Sequence, residues 1–154
     1  MNTYEKAKKA AASIIGYRMY TCHEVEDKLK RKGIDAETAE RVVSEFAAAG
    51  ILDDVAYAEA YAQDAVSIGG KGAYRIKQEL YKKGVASSII DAACSDIGEQ
   101  TCDALREYVE NRRLCENVTT RYELEKLKAR LARRGFSPSE IRKVLSEYEF
   151  NFED

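Results

Sequence analysis

Apolar positions recur along the chain in three blocks that align on a glycine. The segments KLKRKGI, ELYKKGV and RLARRGF place these residues at Gly33, Gly84 and Gly135, so the interval is 51 residues in both cases (84 − 33 and 135 − 84). Apolar residues lie eight and four positions before each glycine and six, nine, ten and thirteen positions after it. These spacings put the apolar residues on one face of each of two α-helices. The pattern therefore predicts a pair of amphipathic helices around every glycine.

Each glycine is predicted to end the first helix of its pair. A helix commonly closes on a residue in the left-handed conformation, which glycine enters without the steric penalty of a Cβ atom. Two cations precede every one of the three glycines, where they meet the negative end of the helix dipole. The next helix is predicted to begin at Asp35 in the first block and at Ser137 in the third, where Pro138 and Glu140 complete the N-terminal signal.

A third apolar-striped segment precedes each pair. These segments run from Tyr4 to about Tyr20, from Val55 to Val66 and from about Thr101 to Leu114. The chain is therefore predicted to be all-α, with three tandem three-helix repeat units at residues 1–52, 53–99 and 100–154. A unit of about 50 residues buries too small a core alone, so we expect the units to stack in an elongated, curved arrangement rather than one nine-helix globule. The acidic C-terminal tail, EYEFNFED, is expected to fray and to screen the neighbouring basic face.

Composition argues against catalysis and against a membrane location. The four cysteines form no CxxC pair, and His23 is the single histidine, so no catalytic residue, metal site or cofactor is expected. No segment reaches the roughly 20 apolar residues that span a bilayer. The N-terminus, MNTYEKAKKAAAS, carries no hydrophobic signal segment, and we expect a cytoplasmic protein.

The charges are segregated along the chain, although the net charge is only −2. Residues 35–64 contain eight acids and one cation, residues 71–83 contain five cations and one acid, and residues 121–134 contain six cations and two acids. On the second helix of each unit, the positions nine, five and two before the glycine point away from the apolar stripe. The residues at these positions are Glu24, Lys28 and Arg31, then Arg75, Glu79 and Lys82, then Lys126, Arg130 and Arg133.

The basic segments supply the candidate partner-binding residues. Arginine forms bidentate contacts with phosphate or carboxylate that lysine cannot match, which favours the C-terminal cluster. The alternative is that these cations lie on solvent-exposed helix faces and bind no partner. The candidate cations are Lys71, Arg75, Lys82, Lys83, Lys126, Arg130, Arg133 and Arg134.

Three sequence segments resemble the RecX family of recombination regulators. They are ILDDVAYAEAY at 51–61, GAYRIKQELYKKGV at 72–85 and RLARRGFSPSEIRKVL at 130–145. The resemblance implies a non-enzymatic protein that binds the RecA recombinase filament on single-stranded DNA, lies along its groove and limits its recombinase, ATPase and co-protease activities. It also implies tandem three-helix units. We expect a monomer whose contact with single-stranded DNA alone is weak or indirect.

Three residues of the first segment are further candidates for contact with the recombinase. Asp53 and Asp54 precede a predicted helix and are expected to cap it, with contact to basic groups of the recombinase as a second role. Tyr57 lies four residues before Tyr61 on that helix, and the choice for both is between packing and stacking on DNA bases.

Two other classes of protein fit the same pattern. Three-helix units with basic helices suit a DNA-binding protein of helix-turn-helix type, although the net negative charge argues against it. A non-enzymatic helical scaffold would bind neither DNA nor recombinase.

Overall fold

The computed structural model describes residues 2–153, which form nine α-helices and no strand. The helices are α1 (Thr3–Ile15), α2 (Cys22–Arg31), α3 (Ala36–Ala48), α4 (Asp54–Ser67), α5 (Ala73–Lys82), α6 (Ser87–Asp96), α7 (Thr101–Asn111), α8 (Arg121–Arg133) and α9 (Pro138–Leu145). They follow one another in threes, and an aligned glycine separates the second and third helix of every trio. The predicted all-α fold of three-helix units is confirmed.

The three glycine turns share one hydrogen-bonding pattern. Gly33, Gly84 and Gly135 have φ of 92°, 82° and 98°, so the predicted left-handed conformation is confirmed. The amide that follows each glycine donates to the carbonyl of the leucine four residues before that glycine, with N···O distances of 3.1, 3.2 and 3.3 Å. Each glycine amide also donates to the carbonyl three residues before it. This is the Schellman motif, in which the apolar residue after the glycine commonly packs near the residue four positions before that glycine. The repeated sequence pattern therefore encodes the end of a helix.

The N-caps predicted at Asp35 and Ser137 are confirmed, and one capping residue is new. The Asp35 carboxylate accepts the Thr38 amide at 3.0 Å. Ser137 forms a capping box with Glu140. The prediction that the first segment stays helical to Tyr20 is wrong, because α1 ends at Ile15 and Thr21 caps α2. The signal for that break is the threonine with a glutamate three residues later, a capping-box sequence.

The third segment also ends earlier than predicted. α7 stops at Asn111 rather than near Leu114, because Arg113 adopts a φ of 53° and the Leu114 amide turns back to the Val109 carbonyl. A non-glycine residue here makes the same kind of turn as the three glycines.

The chain divides into two compact units, Met1–Glu59 with Leu80–Ile90, and Ala60–Glu79 with Asp91–Asp154. The core of the first unit holds α1, α2 and α3 together around Ala7, Ala11, Val25, Leu29 and Val42, all 0% exposed. The core of the second unit joins α7, α8 and α9 around Leu105, Leu131, Phe136, Ile141 and Val144. The boundaries of the three repeats at residues 52 and 99 stay a prediction.

In the first unit, the turn after α5 packs against the beginning of α2. The hydroxyl of the buried Thr21 donates to the Lys83 carbonyl at 2.7 Å. Gly84 lies so close to the first turn of α2 that a Cβ atom on it would stand 2.2 Å from the His23 Cβ. A side chain at Gly84 would therefore push the two segments apart.

The second unit contains a similar contact at equivalent positions. The Gly72 amide donates to the Arg134 carbonyl at 2.9 Å, and the Tyr74 amide donates to the Gly135 carbonyl at 3.1 Å. A Cβ atom on Gly72 would lie 2.3 Å from the Gly135 carbonyl carbon. Thr21 and Gly72 occupy the same position relative to Gly33 and Gly84, and the donor is a side-chain hydroxyl at Thr21 but a backbone amide at Gly72.

Residues 147–153 of the C-terminal tail are attached to the second unit, so the expectation that the tail frays is wrong for this range, while Asp154 lies outside the described residues. Phe150 packs against the core of α7–α9. The Glu153 amide donates to the Thr119 carbonyl at 2.8 Å, and the Arg121 guanidinium lies 5.3 Å from the centroid of the Phe152 ring. Two phenylalanines thus anchor a segment whose acidity alone suggests solvation.

Candidate partner-binding surface

The outer face of α8 carries three exposed cations, Lys126, Arg130 and Arg133, which we call the α8 surface. These side chains border a cavity of about 330 Å³ together with Leu114, Asn117 and Val118. Nothing within residues 2–153 forms an ion pair with any of the three. Uncompensated cations beside an open cavity are suited to binding an anionic group of a partner.

Aromatic rings orient two of these cations. The Lys126 ammonium lies 5.3 Å from the centroid of the Tyr122 ring, and Tyr122 is 70% exposed. The Arg130 guanidinium lies 3.2 Å from the Tyr108 hydroxyl oxygen. Arg133 extends from the last turn of α8 and contacts no aromatic ring among residues 2–153. The α8 surface thus combines two cations that lie beside tyrosine rings with one exposed cation, Arg133, that lies beside none in the described range.

One acid, Glu123, borders the same cavity, and within residues 2–153 it forms no ion pair with the three cations of the α8 surface. Glu123 belongs to the capping box of α8 and accepts hydrogen bonds from Thr119 and Thr120. The hydrogen bond from the Thr119 hydroxyl lowers the pKa of Glu123 below its usual value, so the carboxylate stays ionised while it caps the helix.

Arg134 is held inside the second unit rather than presented to a partner. Its guanidinium donates to the carbonyls of Gly69 and Gly70 and lies 4.7 Å from the centroid of the Tyr108 ring. Tyr108 is 8% exposed, and its ring also lies close to the guanidinium groups of Arg112 and Arg130, at 4.8 and 5.8 Å. The apolar spacing of the third segment predicts Tyr108 only as a core residue. Arg112 reaches the ring from the C-cap of α7, whereas Arg130 and Arg134 reach it from the C-terminal end of α8.

Two candidate cations of α5 and the preceding loop are neutralised. The Lys71 ammonium lies 2.9 and 3.0 Å from the two oxygens of Glu79, and the Arg75 guanidinium lies 3.6 Å from the same carboxylate. The Tyr61 hydroxyl adds a hydrogen bond of 2.8 Å. Burial alone would raise the pKa of Glu79, but the bonds from Lys71 and Tyr61 outweigh it and lower the pKa. Glu79 is therefore an internal counter-ion of Lys71 and Arg75, although its position on α5 predicts a side chain that points away from the apolar stripe.

Lys82 and Lys83 occupy different environments in the first unit. Lys82 is exposed in the last turn of α5. The Lys83 ammonium lies 3.9 Å from the Glu24 carboxylate, and its backbone carbonyl accepts the hydroxyl of Thr21. Of this pair, Lys82 is the one accessible to a partner.

The aspartates and Tyr57 have structural contacts in the first unit. Asp53 accepts the Ala56 amide at 3.1 Å, as an N-cap does. Asp54 does not cap its own helix, and its carboxylate accepts the amide of Cys22, the first residue of α2, at 2.9 Å. Tyr57 is 6% exposed, so its ring packs in the interior rather than facing a partner.

The described part of the chain shows neither a metal-binding cluster nor a membrane-spanning helix. No group of three or more histidine, cysteine, aspartate or glutamate residues within residues 2–153 could hold a metal ion. None of the helices in that range is both long and apolar enough to cross a bilayer. Fold and surface together define a tandem three-helix repeat protein with an exposed cationic helix.

The comparisons with known proteins identify the family of these repeats. The first three-helix domain of RecX matches residues 7–46, and the second matches residues 53–93. Regulatory protein RecX of Clostridium acetobutylicum is 33% identical to the chain over 152 residues, which cover 95% of the chain and 70% of that protein. The chain therefore belongs to the RecX family, as its three motif segments predict.

Two further relatives show how far the similarity extends. Regulatory protein RecX of Lactobacillus delbrueckii subsp. bulgaricus is 35% identical over 95 residues, which cover 62% of the chain but only 35% of that protein. The chain thus spans about a third of that relative. The crystal structure of RecX from Lactobacillus salivarius superimposes with a TM-score of 0.81 at 27% identity and covers 94% of the chain and 96% of that structure.

Proposed function

We propose that this chain binds the RecA recombinase filament on single-stranded DNA and restrains it. Binding then lowers the filament's recombinase, ATPase and co-protease activities in the cytoplasm. Membership of a family of regulatory proteins supports the proposal. The observation that carries it is the α8 surface, whose three exposed cations have no ion-pair partner in the described range.

The mechanism that follows is multivalent. A repeat protein presents similar contact positions at regular intervals, and a filament presents a repeating set of acceptor groups. When one unit is bound, the linked units experience a high effective concentration of the next site. Weak contacts therefore add up on an ordered filament but not on a free recombinase subunit, and the bound state shifts the filament population towards the conformation it prefers.

A co-sedimentation experiment tests the proposal. Recombinase filaments on single-stranded DNA and free recombinase are incubated separately with the chain, and the retained fraction is measured. We expect strong retention on filaments, weak retention on free subunits, and a dose-dependent fall in DNA-dependent ATP hydrolysis. Equal retention on both forms would contradict the proposal. Tight binding to naked duplex DNA without recombinase would favour the helix-turn-helix alternative.

Charge reversal on α8 assigns the surface. Arg130→Glu with Arg133→Glu is expected to raise the inhibitor concentration for half-maximal ATPase inhibition about 10-fold, because two exposed charge-assisted contacts contribute about 0.7 kcal/mol each. The matched control is Arg142→Glu with Lys143→Glu. Both pairs are exposed in the last turn of a helix, so both substitutions change the net charge and the helix dipole interaction equally.

The control pair is expected to inhibit as the unaltered chain does, and circular dichroism should show that both variants stay helical. Equal loss of inhibition in both pairs would mean that only the overall charge matters. Unchanged inhibition by the folded α8 variant would show that the working surface lies elsewhere on the chain.

A further inference from the structure

A second basic groove lies on the first unit, beside α2. Its cavity of about 390 Å³ is open to solvent and is bordered by Ile14, Tyr17, Tyr20, Lys28, Arg31 and Lys32. We call it the α2 groove. Ligand pockets in proteins commonly start at roughly 300 Å³, so the volume suffices for a small portion of a ligand.

The cations of the α2 groove lack acidic partners. Lys28, Arg31 and Lys32 form no ion pair with any residue in the described range, although the neighbouring Lys30 is paired with Glu26 at 3.1 Å. Arg31 and Lys32 are exposed at the C-terminal end of α2. In a chain with net charge −2, three adjacent uncompensated cations form a local site for an anion.

The aromatic residues of the groove differ from each other in what they contact. The Tyr20 ring is covered by cations, with the Arg18 guanidinium 3.9 Å and the Lys28 ammonium 5.5 Å from its centroid. Tyr17 is 84% exposed, and its ring has no aromatic or cationic partner among residues 2–153. The face of the Tyr17 ring is therefore available for stacking.

Two of these positions recur on the α8 surface. Counted from the glycines, Lys28 aligns with Arg130 and Arg31 aligns with Arg133 (33 − 28 and 135 − 130; 33 − 31 and 135 − 133). The residue at the first of these positions in α5 is Glu79, which carries the opposite charge and is paired internally. The first and third repeats thus share a cationic pair, whereas the second keeps the cation Lys82 at one position and carries the internally paired Glu79 at the other.

We infer that the α2 groove binds single-stranded nucleic acid, with Lys28, Arg31 and Lys32 against the phosphates and a base stacked on Tyr17. Cations beside an exposed aromatic ring are the combination with which proteins hold unpaired strands, because every base has a face that can stack. An acidic peptide would satisfy the cations but leave the ring unused, and a duplex keeps its base faces covered. This inference extends the proposed function, but it predicts binding to DNA without recombinase and is tested in its absence.

The test compares two oligonucleotides that carry the same phosphate charge. Fluorescence anisotropy measures binding of the chain, at low ionic strength, to labelled oligothymidylate and to an abasic strand of equal length. We expect oligothymidylate to bind about fivefold more tightly or better, which is the contribution of a single stacked base. Tyr17→Ser should remove this preference without changing affinity for the abasic strand.

Charge removal should affect both oligonucleotides alike. Lys28→Ala with Arg31→Ala is expected to weaken both complexes and to reduce the slope of log affinity against log salt by about 0.7 for each phosphate that the variant no longer binds. Lys6→Ala with Lys9→Ala on α1 is the matched control for net charge, because both lysines are exposed in the same unit. Tyr81→Ser is the control for loss of an exposed ring, since Tyr81 is 75% exposed in that unit.

The inference is overturned if oligothymidylate and the abasic strand bind equally, if Tyr81→Ser acts like Tyr17→Ser, or if no binding is detected at low ionic strength. Displacement of oligothymidylate by polyglutamate at equal charge would instead assign the groove to an acidic protein segment. Melting curves of the four variants check that each chain is folded. Since no recombinase is present, failure here leaves the co-sedimentation result unaffected.

Discussion

Replacing Gly135 by alanine tests whether the glycine turns are only helix stops or also contact sites. Gly33 is the matched control, because its φ of 92° is close to the 98° of Gly135. Apart from its chain neighbours, no residue in the range 2–153 has an atom within 4 Å of a Cβ built on Gly33. At Gly135, the same Cβ atom would lie 2.5 Å from the backbone nitrogen of Arg75 and 2.8 Å from the Gly72 carbonyl oxygen. These neighbours are backbone atoms and cannot swing aside.

The two variants should therefore differ in free energy of unfolding. A left-handed alanine costs about 1–2 kcal/mol, offset by about 0.4–1 kcal/mol because alanine also restricts the unfolded chain. Gly33→Ala should consequently lose about 1 kcal/mol. Gly135→Ala adds an overpacking cost of about 1–3 kcal/mol and strains the bonds from Gly72 and Tyr74, so its loss should be about 2–4 kcal/mol.

Urea denaturation followed by far-ultraviolet circular dichroism measures the difference. With a denaturant slope of about 2 kcal/mol per molar urea, an extra 2 kcal/mol lowers the midpoint of Gly135→Ala by about 1 M relative to Gly33→Ala. Both variants should keep native helicity in the absence of urea. Equal midpoints would refute the reasoning, since the close contact with Gly72 and Arg75 would then carry no energetic weight.

Two further substitutions test contacts that the turns and helix ends create. Thr21→Val should lower the free energy of unfolding by about 1–3 kcal/mol, because it removes the N-cap of α2 and leaves the Lys83 carbonyl without its hydroxyl donor. Thermal unfolding measures this loss, and a melting temperature equal to that of the unaltered chain would argue against the contact. Glu79→Gln should cost about 1 kcal/mol near neutral pH by removing the ion pair with Lys71. The pKa of Glu79 in the folded chain lies below the usual 4.5, so the stability that its carboxylate contributes is present above pH 4.5 and is lost as the pH falls through the folded pKa. The variant and the unaltered chain should therefore become equally stable in acid. A difference in stability that persists in acid would contradict the assignment.

The equivalent contacts made by Thr21 and Gly72 predict that the turns at Gly84 and Gly135 tolerate substitution poorly. Each lies twelve residues before the glycine of its own repeat (33 − 21 and 84 − 72). Each also donates a hydrogen bond to the carbonyl of the residue directly before the glycine of the next repeat. A turn that ends a helix in its own repeat thus also supplies an acceptor for another segment. Gly33 has no such neighbour, which makes it the turn at which substitution should be best tolerated.

The sequence by itself determined the local structure of this protein. Apolar spacing and the three aligned glycines predict the second and third helix of each repeat, because a helix stop depends on residues within one turn of it. The sequence also predicts the family, because the resemblance lies in motifs whose residues are contiguous in the chain. The early end of α1 was equally local, and the capping-box sequence at Thr21 would have revealed it.

Only the tertiary structure decided which cations remain available. Arg134 looks like its neighbour Arg133 in sequence, yet it binds the carbonyls of Gly69 and Gly70, more than sixty positions away (134 − 70). Lys71 is likewise neutralised by a carboxylate on α5. The availability of a charge depends on which groups the fold brings within hydrogen-bonding distance, and helical periodicity specifies only the face on which a side chain begins.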